Sequence, residues 1–297
     1  MTVALADVER ARPVVAPLVH RTPLLSSRQL GERIGALAFL KAENLQRTGS
    51  FKPRGATYAI ATLAPERRSR GIVTMSAGNA AQAIAYAARA VGAPVTVAMP
   101  ETAPKTKIEA TRGYGATVNT SSPDPVAAYD RALEIVEQEG RVFIHPHSDP
   151  LVVAGHGTLA LEVVFVVGVG GGGLIAGIAV AVAGKRPGAR VIGVEPTGAN
   201  AMRRALDAGA PVPLERVATI ADGLAAPVAG TIPLDICRRL VADVVVVDDS
   251  VIAEGMRFLA SRARLLAEPA GAAATGALLA GAVRVRPGER VVSIVSG

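Results

Sequence analysis

Apolar runs rich in valine and isoleucine recur along the chain, and most are continuous rather than alternating with polar positions. The strand-like runs are residues 71–75, 95–99, 116–118, 141–144, 164–169, 190–194, 243–247 and 290–295. Such runs are typical of strands buried on both faces of a parallel sheet. Helical segments lie between them, for example at 79–91, 104–113 and 125–140, and residues 121–125 are predicted to be a loop. The alternation predicts an α/β fold with mostly parallel sheets flanked by helices.

The pattern is interrupted at two places. Residues 158–163 are typical of a helix and pass directly into the strand-like run at 164–169, with no turn residue between them. Because a chain needs connecting residues between a helix and a buried strand, we expect residues to be missing near Val163 and Val164. The chain also stops at Gly297 just as the last strand reaches its loop, and we expect further residues there.

Composition limits the class of protein. The 297 residues allow one large domain or two smaller ones, and alanine and valine must fill the core because aromatic residues make up only 3%. Glycines break the longest apolar runs and the N-terminus lacks a secretory pattern, so neither a membrane span nor export is predicted. A single cysteine, Cys237, excludes an internal disulfide framework and is typical of a cytoplasmic protein.

The formal net charge of +7 favours nucleic-acid binding in many proteins. Here the arginines are dispersed along the chain, and no aromatic residues stand between them as platforms for stacked bases. We therefore predict no nucleic-acid partner.

Two features indicate cofactor chemistry. Lys52, one of only five lysines, lies on a short segment bounded by glycine and proline just before an alanine-rich helix. An unbroken run, Gly170 to Gly173, lies between an apolar strand and an apolar helix, where backbone amides and the helix dipole can receive a phosphate. Either feature alone has a plainer interpretation, a solvated charge or a tight turn. Together they indicate pyridoxal phosphate, held by a Schiff base at Lys52 and by its phosphate at the glycines.

The glycine run differs from the common nucleotide motifs. No Lys-Ser or Lys-Thr pair follows it, so it is not a Walker A loop. It also lacks the glycine spacing of a dinucleotide fingerprint, for which Glu195 after the next strand is weak support.

Further polar residues follow strand ends, where parallel sheets bind their ligands. Ser76, Ala77, Gly78 and Asn79 lie between a strand and a helix. Ser76 and Asn79 are residue types that cap helix N-termini, and the same loop could instead receive a substrate carboxylate. Ser296 follows the last strand.

Several ordered motifs resemble the threonine/serine dehydratase family over nearly the whole chain. The family consists of pyridoxal-phosphate enzymes of fold type II, which are similar to the tryptophan synthase β subunit and include serine racemase. The matching segments are residues 50–56, 76–79, 99–105, 154–158, 170–177, 219–223 and 268–271.

The resemblance implies a role for each candidate residue. Lys52 would bind the cofactor covalently and later move the substrate's α-proton, and Phe51 would pack beside the cofactor ring. Asn79 would bind the cofactor's 3′-oxygen, and Ser296 would face the pyridine nitrogen. The phosphate would be held by Gly170, Gly171, Gly172, Gly173 and the amide of Leu174. The substrate carboxylate would be bound by Ser76, Ala77, Gly78 and Asn79.

The resemblance also implies an organisation and an activity. Residues 1–57 and 142–297 would form a large cofactor-binding domain, and residues 58–141 a small mobile domain. The predicted reaction is β-elimination that deaminates L-threonine, and also L-serine, to a 2-oxo acid and ammonia. The alternatives are a serine racemase, a β-replacement enzyme of the same fold, or a non-catalytic protein that binds small anions. The predicted partners are an amino-acid substrate and further copies of the chain, as a dimer or tetramer.

Some positions depart from the family. Serine racemases carry serine at the position of Ala77, and β-replacement enzymes usually carry threonine within the glycine run, so neither alternative is favoured. Ala80 stands where the family often has histidine, and the segment between Val163 and Gly170 is roughly eight residues shorter than in the family.

Neither a metal nor an effector is expected. Ala201 occupies the second position of an acidic cation site that begins near Glu195 in some members, so we predict no metal. His145, His147 and Asp149 are interpreted as a loop. Biosynthetic members continue into a regulatory domain after the last strand, and we expect no feedback control by isoleucine in this chain.

Overall fold

The computed structural model describes residues 3–160 and 165–297. The strands in these ranges are β1 (Leu24–Ser26), β2 (Leu37–Ala42), β3 (Ile72–Met75), β4 (Val95–Pro100), β5 (Thr117–Ser122), β6 (Val142–Phe143), β7 (Phe165–Gly168), β8 (Val191–Pro196), β9 (Asp243–Val247) and β10 (Arg290–Val295).

Helices connect the strands. In chain order they are α1 (Leu5–Val15), α2 (Arg28–Ile34), α3 (Pro53–Ala61), α4 (Pro65–Ser69), α5 (Asn79–Ala90), α6 (Lys105–Gly113), α7 (Pro125–Glu139), α8 (Pro150–Gly157), α9 (Gly173–Lys185), α10 (Ala201–Ala208), α11 (Thr231–Leu240), α12 (Asp249–Phe258) and α13 (Pro269–Leu279). Short 3-10 turns lie at Glu43–Leu45, Arg47–Gly49, Thr197–Ala199 and Asp222–Leu224, and a π-helical turn lies at Leu259–Ala263. In the described ranges, no helix is long and apolar enough to cross a membrane.

Two sheets are formed by the described strands. The larger has the order β1-β2-β10-β7-β8-β9, and only its edge pair, β1 with β2, is antiparallel. The smaller has the order β5-β4-β3-β6 and is parallel throughout. The predicted α/β class with two mostly parallel sheets is confirmed. The strand β6 pairs with β3 and therefore belongs to the smaller sheet, while the division at residues 58–141 stays a prediction.

Small apolar side chains fill the core, as the low aromatic content predicts. Every residue of β4 and of β8 is buried. In helix α9, all residues from Gly173 to Val182 are buried. The close packing of α8 on α9 depends on glycine, because a Cβ atom on Gly177 would stand 2.3 Å from the carbonyl oxygen of Val153.

Two local predictions are wrong, and a third lies outside the described residues. The helix expected at 158–163 does not begin there, because Thr158, Leu159 and Ala160 donate to carbonyls three residues back and form tight turns after α8. Residues 161–164, including the proposed gap at Val163 and Val164, lie outside the described residues. The expected loop at 121–125 begins late, since β5 extends to Ser122. As a sheet-edge strand, β5 accepts the polar residues that suggested a loop.

Candidate active site

Lys52 lies where the larger sheet meets helix α3. It occupies the N-cap position of α3, and Pro53 is the first helical residue. The amide of Phe51 donates to the carbonyl oxygen of Ser296, 3.1 Å away, just beyond β10. The lysine segment is therefore fixed to the end of a central strand.

The surroundings of Lys52 favour its neutral form. Its Nζ lies 4.9 Å from the centre of the Phe51 ring. Burial lowers the pKa of Lys52 from the usual 10.5 to about 8. A neutral amine is the form that attacks a carbonyl carbon, so the environment prepares this lysine for a covalent bond.

The glycine run has no room for side chains. A Cβ atom would stand 3.1 Å from Leu224 Cα at Gly170, 2.3 Å from His147 Nδ1 at Gly171 and 2.6 Å from the His147 carbonyl oxygen at Gly173. Gly172 has a φ of 89°, which favours glycine, and it is the N-cap of α9. The run thus presents backbone amides at the positive end of a buried helix, an arrangement that fits a phosphate group.

Asn79 is the first residue of α5, and Gly78 is the N-cap. The side-chain amide of Asn79 does not cap this helix; its Nδ2 donates to Glu268 Oε2 at 2.8 Å. The hydroxyl of Ser76 accepts a hydrogen bond from the Gly78 amide at 3.1 Å and so forms a tight turn within the loop. Neither side chain is a helix cap, so that interpretation is wrong.

Ser296 is buried beside the lysine segment. Its Oγ is 3.5 Å from the Ala270 carbonyl oxygen, a long contact that leaves the hydroxyl free to bind another group. Gly271 is required next to it, because a Cβ atom there would stand 2.1 Å from the carbonyl oxygen of Gly297.

Three histidines lie around Lys52, and the sequence motifs predicted none of them as part of the site. The loop interpretation of His145 and His147 is confirmed, but this loop contacts the glycine run. His156, on α8, meets Phe51 edge to face with 4.8 Å between ring centres. Burial, and then the charge of Lys52, lower the pKa of His145 to about 4. Burial is also the main cause that holds the pKa values of His147 and His156 well below normal, so all three rings are neutral.

A small cavity joins these parts. It is lined by Lys52, by Ala80 and Ile84 near the start of α5, and by Pro146 and His156. The structure therefore brings the lysine, the start of α5 and the histidine loop together, and that loop contacts the glycine run. The sequence did not indicate that the histidines belong to the site, because they are far from Lys52 along the chain and come close to it only in the folded structure.

The acidic groups near the site are engaged with protein partners. Glu195 is fully buried and accepts from the amides of Met202 and Arg203, each at 2.8 Å, so it anchors the start of α10. Asp149 caps α8 by accepting from Leu151 and Val152. Among the residues that the structure describes, no group of three or more His, Cys, Asp or Glu side chains is placed to hold a metal ion.

A comparison with protein families agrees with this geometry. The model described as "Pyridoxal-phosphate dependent enzyme" matches residues 15–297. The chain belongs to this family. Its cofactor is pyridoxal phosphate, and the lysine in a desolvated site together with the side-chain-free phosphate loop fits that group.

Three proteins resemble the chain over nearly its whole length. An L-threonine ammonia-lyase of Thermotoga maritima is 41% identical over 303 residues, covering 99% of this chain and 75% of the relative. The structure of maize serine racemase has a TM-score of 0.96 at 34% identity and covers 100% of this chain and 94% of that one. The crystal structure of a threonine deaminase from T.th. has a TM-score of 0.93 at 37% identity, with coverage of 99% of this chain and 97% of that one.

Proposed function

We propose that the protein is a threonine ammonia-lyase, which converts L-threonine to a 2-oxo acid and ammonia. The observation that carries the proposal is the pairing of an amine with a lowered pKa, at Lys52, with a tetraglycine phosphate site. The 41% identity to a protein named L-threonine ammonia-lyase gives the substrate. L-Serine, which lacks only the methyl group of threonine, is proposed as a second substrate.

Lys52 has two roles in this proposal. Bound pyridoxal phosphate supplies an electron sink that stabilises negative charge at the substrate's α-carbon. Lys52 would hold the cofactor through its Nζ, and the same Nζ, when free of the cofactor, would take the substrate's α-proton. The lowered pKa of Lys52 suits both roles, because about a tenth of the free amines are then neutral at pH 7, against fewer than about one in a thousand at the usual pKa of 10.5.

The remaining roles are assigned by position. The amides from Gly170 to Leu174 would hold the phosphate, and Phe51 would pack beside the ring. Asn79 would donate to the 3′-oxygen, and Ser296 would face the pyridine nitrogen. Because a hydroxyl does not keep that nitrogen protonated as a carboxylate would, charge stays closer to the α-carbon, which favours β-elimination over transamination.

Substrate recognition is proposed for the loop before α5. The backbone of Ser76, Ala77 and Gly78, with Asn79, would receive the substrate carboxylate near a helix N-terminus. Residues 58–141 would move as a small domain and close this loop over the substrate. The buried, unbridged Cys237 supports the predicted cytoplasmic location, and the homo-oligomer stays a prediction.

A product assay tests the proposal. Purified protein with bound cofactor should release 2-oxo acid and ammonia in equal amounts from L-threonine, and also from L-serine. Formation of cysteine from an activated serine and sulfide, with no oxo acid from threonine, would instead identify a β-replacement enzyme. A colourless protein that cannot be reconstituted with pyridoxal phosphate would favour the anion-binding alternative.

A further inference from the structure

Glu268 connects two side chains near the cofactor site. It is the N-cap residue of α13, and its two carboxylate oxygens have different partners. Its Oε2 accepts from Asn79 Nδ2 at 2.8 Å, and its Oε1 lies 3.4 Å from Lys107 Nζ. Lys107 Nζ also donates to Asp222 Oδ2 at 2.6 Å.

This polar chain crosses between the two sheets. Asn79 and Lys107 lie on α5 and α6, which flank the smaller sheet. Glu268 and Asp222 lie at the start of α13 and in the turn next to the glycine run, on the side of the larger sheet. The side chain of Lys107 is only 14% exposed, so its ion pairs are better shielded from water than pairs on the open surface.

The carboxylate of Glu268 determines which way the Asn79 amide points. An ionised carboxylate only accepts hydrogen bonds, so it requires Nδ2, not Oδ1, on its side. One N–H of Nδ2 is then used, and the second remains for an acceptor in the site.

Lys107 fixes the position of this carboxylate by binding its Oε1 oxygen. Burial lowers the pKa of Lys107, but the hydrogen bond to Asp222 and the charges of Glu268 and Asp222 outweigh it, and the pKa is raised overall. Lys107 is therefore a cation at neutral pH, and its attraction for Oε1 of Glu268 leaves Oε2 facing Asn79.

We propose that Lys107 and Glu268 are positioning residues that fix the side-chain amide of Asn79 with an N–H directed at the cofactor's 3′-oxygen. The inference rests on the proposed role of Asn79 in cofactor binding. It adds that this hydrogen bond depends on an ion pair between the two sheets. A merely structural tie between the sheets would affect stability and leave the bound cofactor unaltered.

The test uses purified protein and the variants Lys107→Met, Glu268→Gln and Asn79→Ala. The matched control is Lys185→Met, which removes another paired lysine, one bound to Glu9 on the surface. Two quantities are measured: the dissociation constant for pyridoxal phosphate, and the midpoint of the pH titration of the cofactor's visible absorbance.

We expect Lys107→Met and Glu268→Gln each to weaken cofactor binding about tenfold, the loss that follows when a charge-assisted hydrogen bond is broken. Both substitutions should move the absorbance midpoint in the same direction as Asn79→Ala. When either is combined with Asn79→Ala, the double variant should have nearly the same dissociation constant and midpoint as Asn79→Ala alone. Lys107→Arg should restore the wild-type midpoint, and Lys185→Met should match the wild type.

Two outcomes would overturn the proposal in distinguishable ways. If the wild type binds the cofactor and the Lys107 and Glu268 variants keep its affinity and midpoint, the positioning role is wrong while the proposed function stands. If the wild type binds no pyridoxal phosphate, the proposed function fails and this inference fails with it.

Discussion

The imidazole of His147 lies against the backbone of Gly171, so that a Cβ atom on Gly171 would stand 2.3 Å from the ring Nδ1. Burial holds the pKa of His147 well below its usual value, and the ring is neutral. The ring thus closes one side of the glycine run without adding charge, and backbone amides remain the groups that meet the phosphate.

The first prediction concerns this contact. Gly171→Ala should weaken binding of pyridoxal phosphate about tenfold, because a tightly packed site tolerates an added methyl group only by shifting its neighbours. The control is Gly113→Ala, where no other atom lies within 4 Å of the added carbon. Equilibrium dialysis measures both affinities. Equal affinities would show that the His147 ring moves aside without cost.

The second prediction identifies the covalent lysine. Borohydride reduction of the protein with bound cofactor should leave one cofactor mass attached to the peptide that contains Lys52. Lys52→Ala should abolish this adduct and nearly all turnover, since no amine then replaces its Nζ. The exposed Lys105 provides the control, because Lys105→Ala should keep both the cofactor adduct and the turnover of the wild type. A labelled peptide without Lys52 would contradict the assignment.

The third prediction concerns pH. Only the neutral amine captures the cofactor, so the capture rate of cofactor-free protein should rise with pH to about 8, the lowered pKa of Lys52, and then level off. In the window between 8 and the usual 10.5, the unfolded chain keeps a proton that the folded chain has lost. This group therefore makes the folded state more stable as pH rises through that window. A capture rate still rising at pH 10 would mean that the amine is hydrated.

The fourth prediction concerns stereochemistry. Ala77 has a methyl side chain, which cannot exchange a proton on the face opposite Lys52, so conversion of L-serine to D-serine should be slow. Ala77→Ser should increase it, while Asn79 and Lys52 keep their places. Chiral chromatography of the product measures the ratio of the two isomers. Fast racemisation by the wild type would contradict the role given to this position.

The fifth prediction concerns stability. Arg54, in the first turn of α3, forms a buried pair with Glu43 through two hydrogen bonds of 2.8 Å. Glu43→Ala should cost about 3 kcal/mol of unfolding free energy, because it removes a carboxylate that accepts two hydrogen bonds from a buried guanidinium group. Glu32→Ala, which breaks an exposed pair with Arg28, should cost less than about 1 kcal/mol. Urea denaturation compares the two, and equal losses would mean that water reaches Arg54.

Much of the fold follows from strand patterns alone. The continuous apolar runs at β4, β8 and β10 were predicted because strands buried on both faces carry few polar residues. The strands β1 and β2 were missed. β1 has only three residues, and β2 contains Lys41, whose buried Nζ donates to the Thr22 carbonyl oxygen. A partner of that kind is set by tertiary structure and leaves no local pattern.

The site was predictable where its chemistry is local. Lys52 and the glycine run stand out because a backbone cradle and a lone amine need particular residue types at particular positions. No role in the site was predicted for the histidines or for Glu268, since their roles depend on neighbours far away along the chain. The contact of Asn79 with Glu268, for example, joins residues from different sheets.

The position of β10 affects the order of assembly. This strand comes last in the described chain, yet it lies between β2 and β7 in the middle of the larger sheet. During synthesis, β2 and β7 therefore cannot complete the larger sheet before β10 is made. The carbonyl group of Ser296, which fixes the lysine segment, is also absent until then. Cofactor capture is thus a step that follows the synthesis of β10, and a ribosome-bound chain that lacks this strand has no organised site to load.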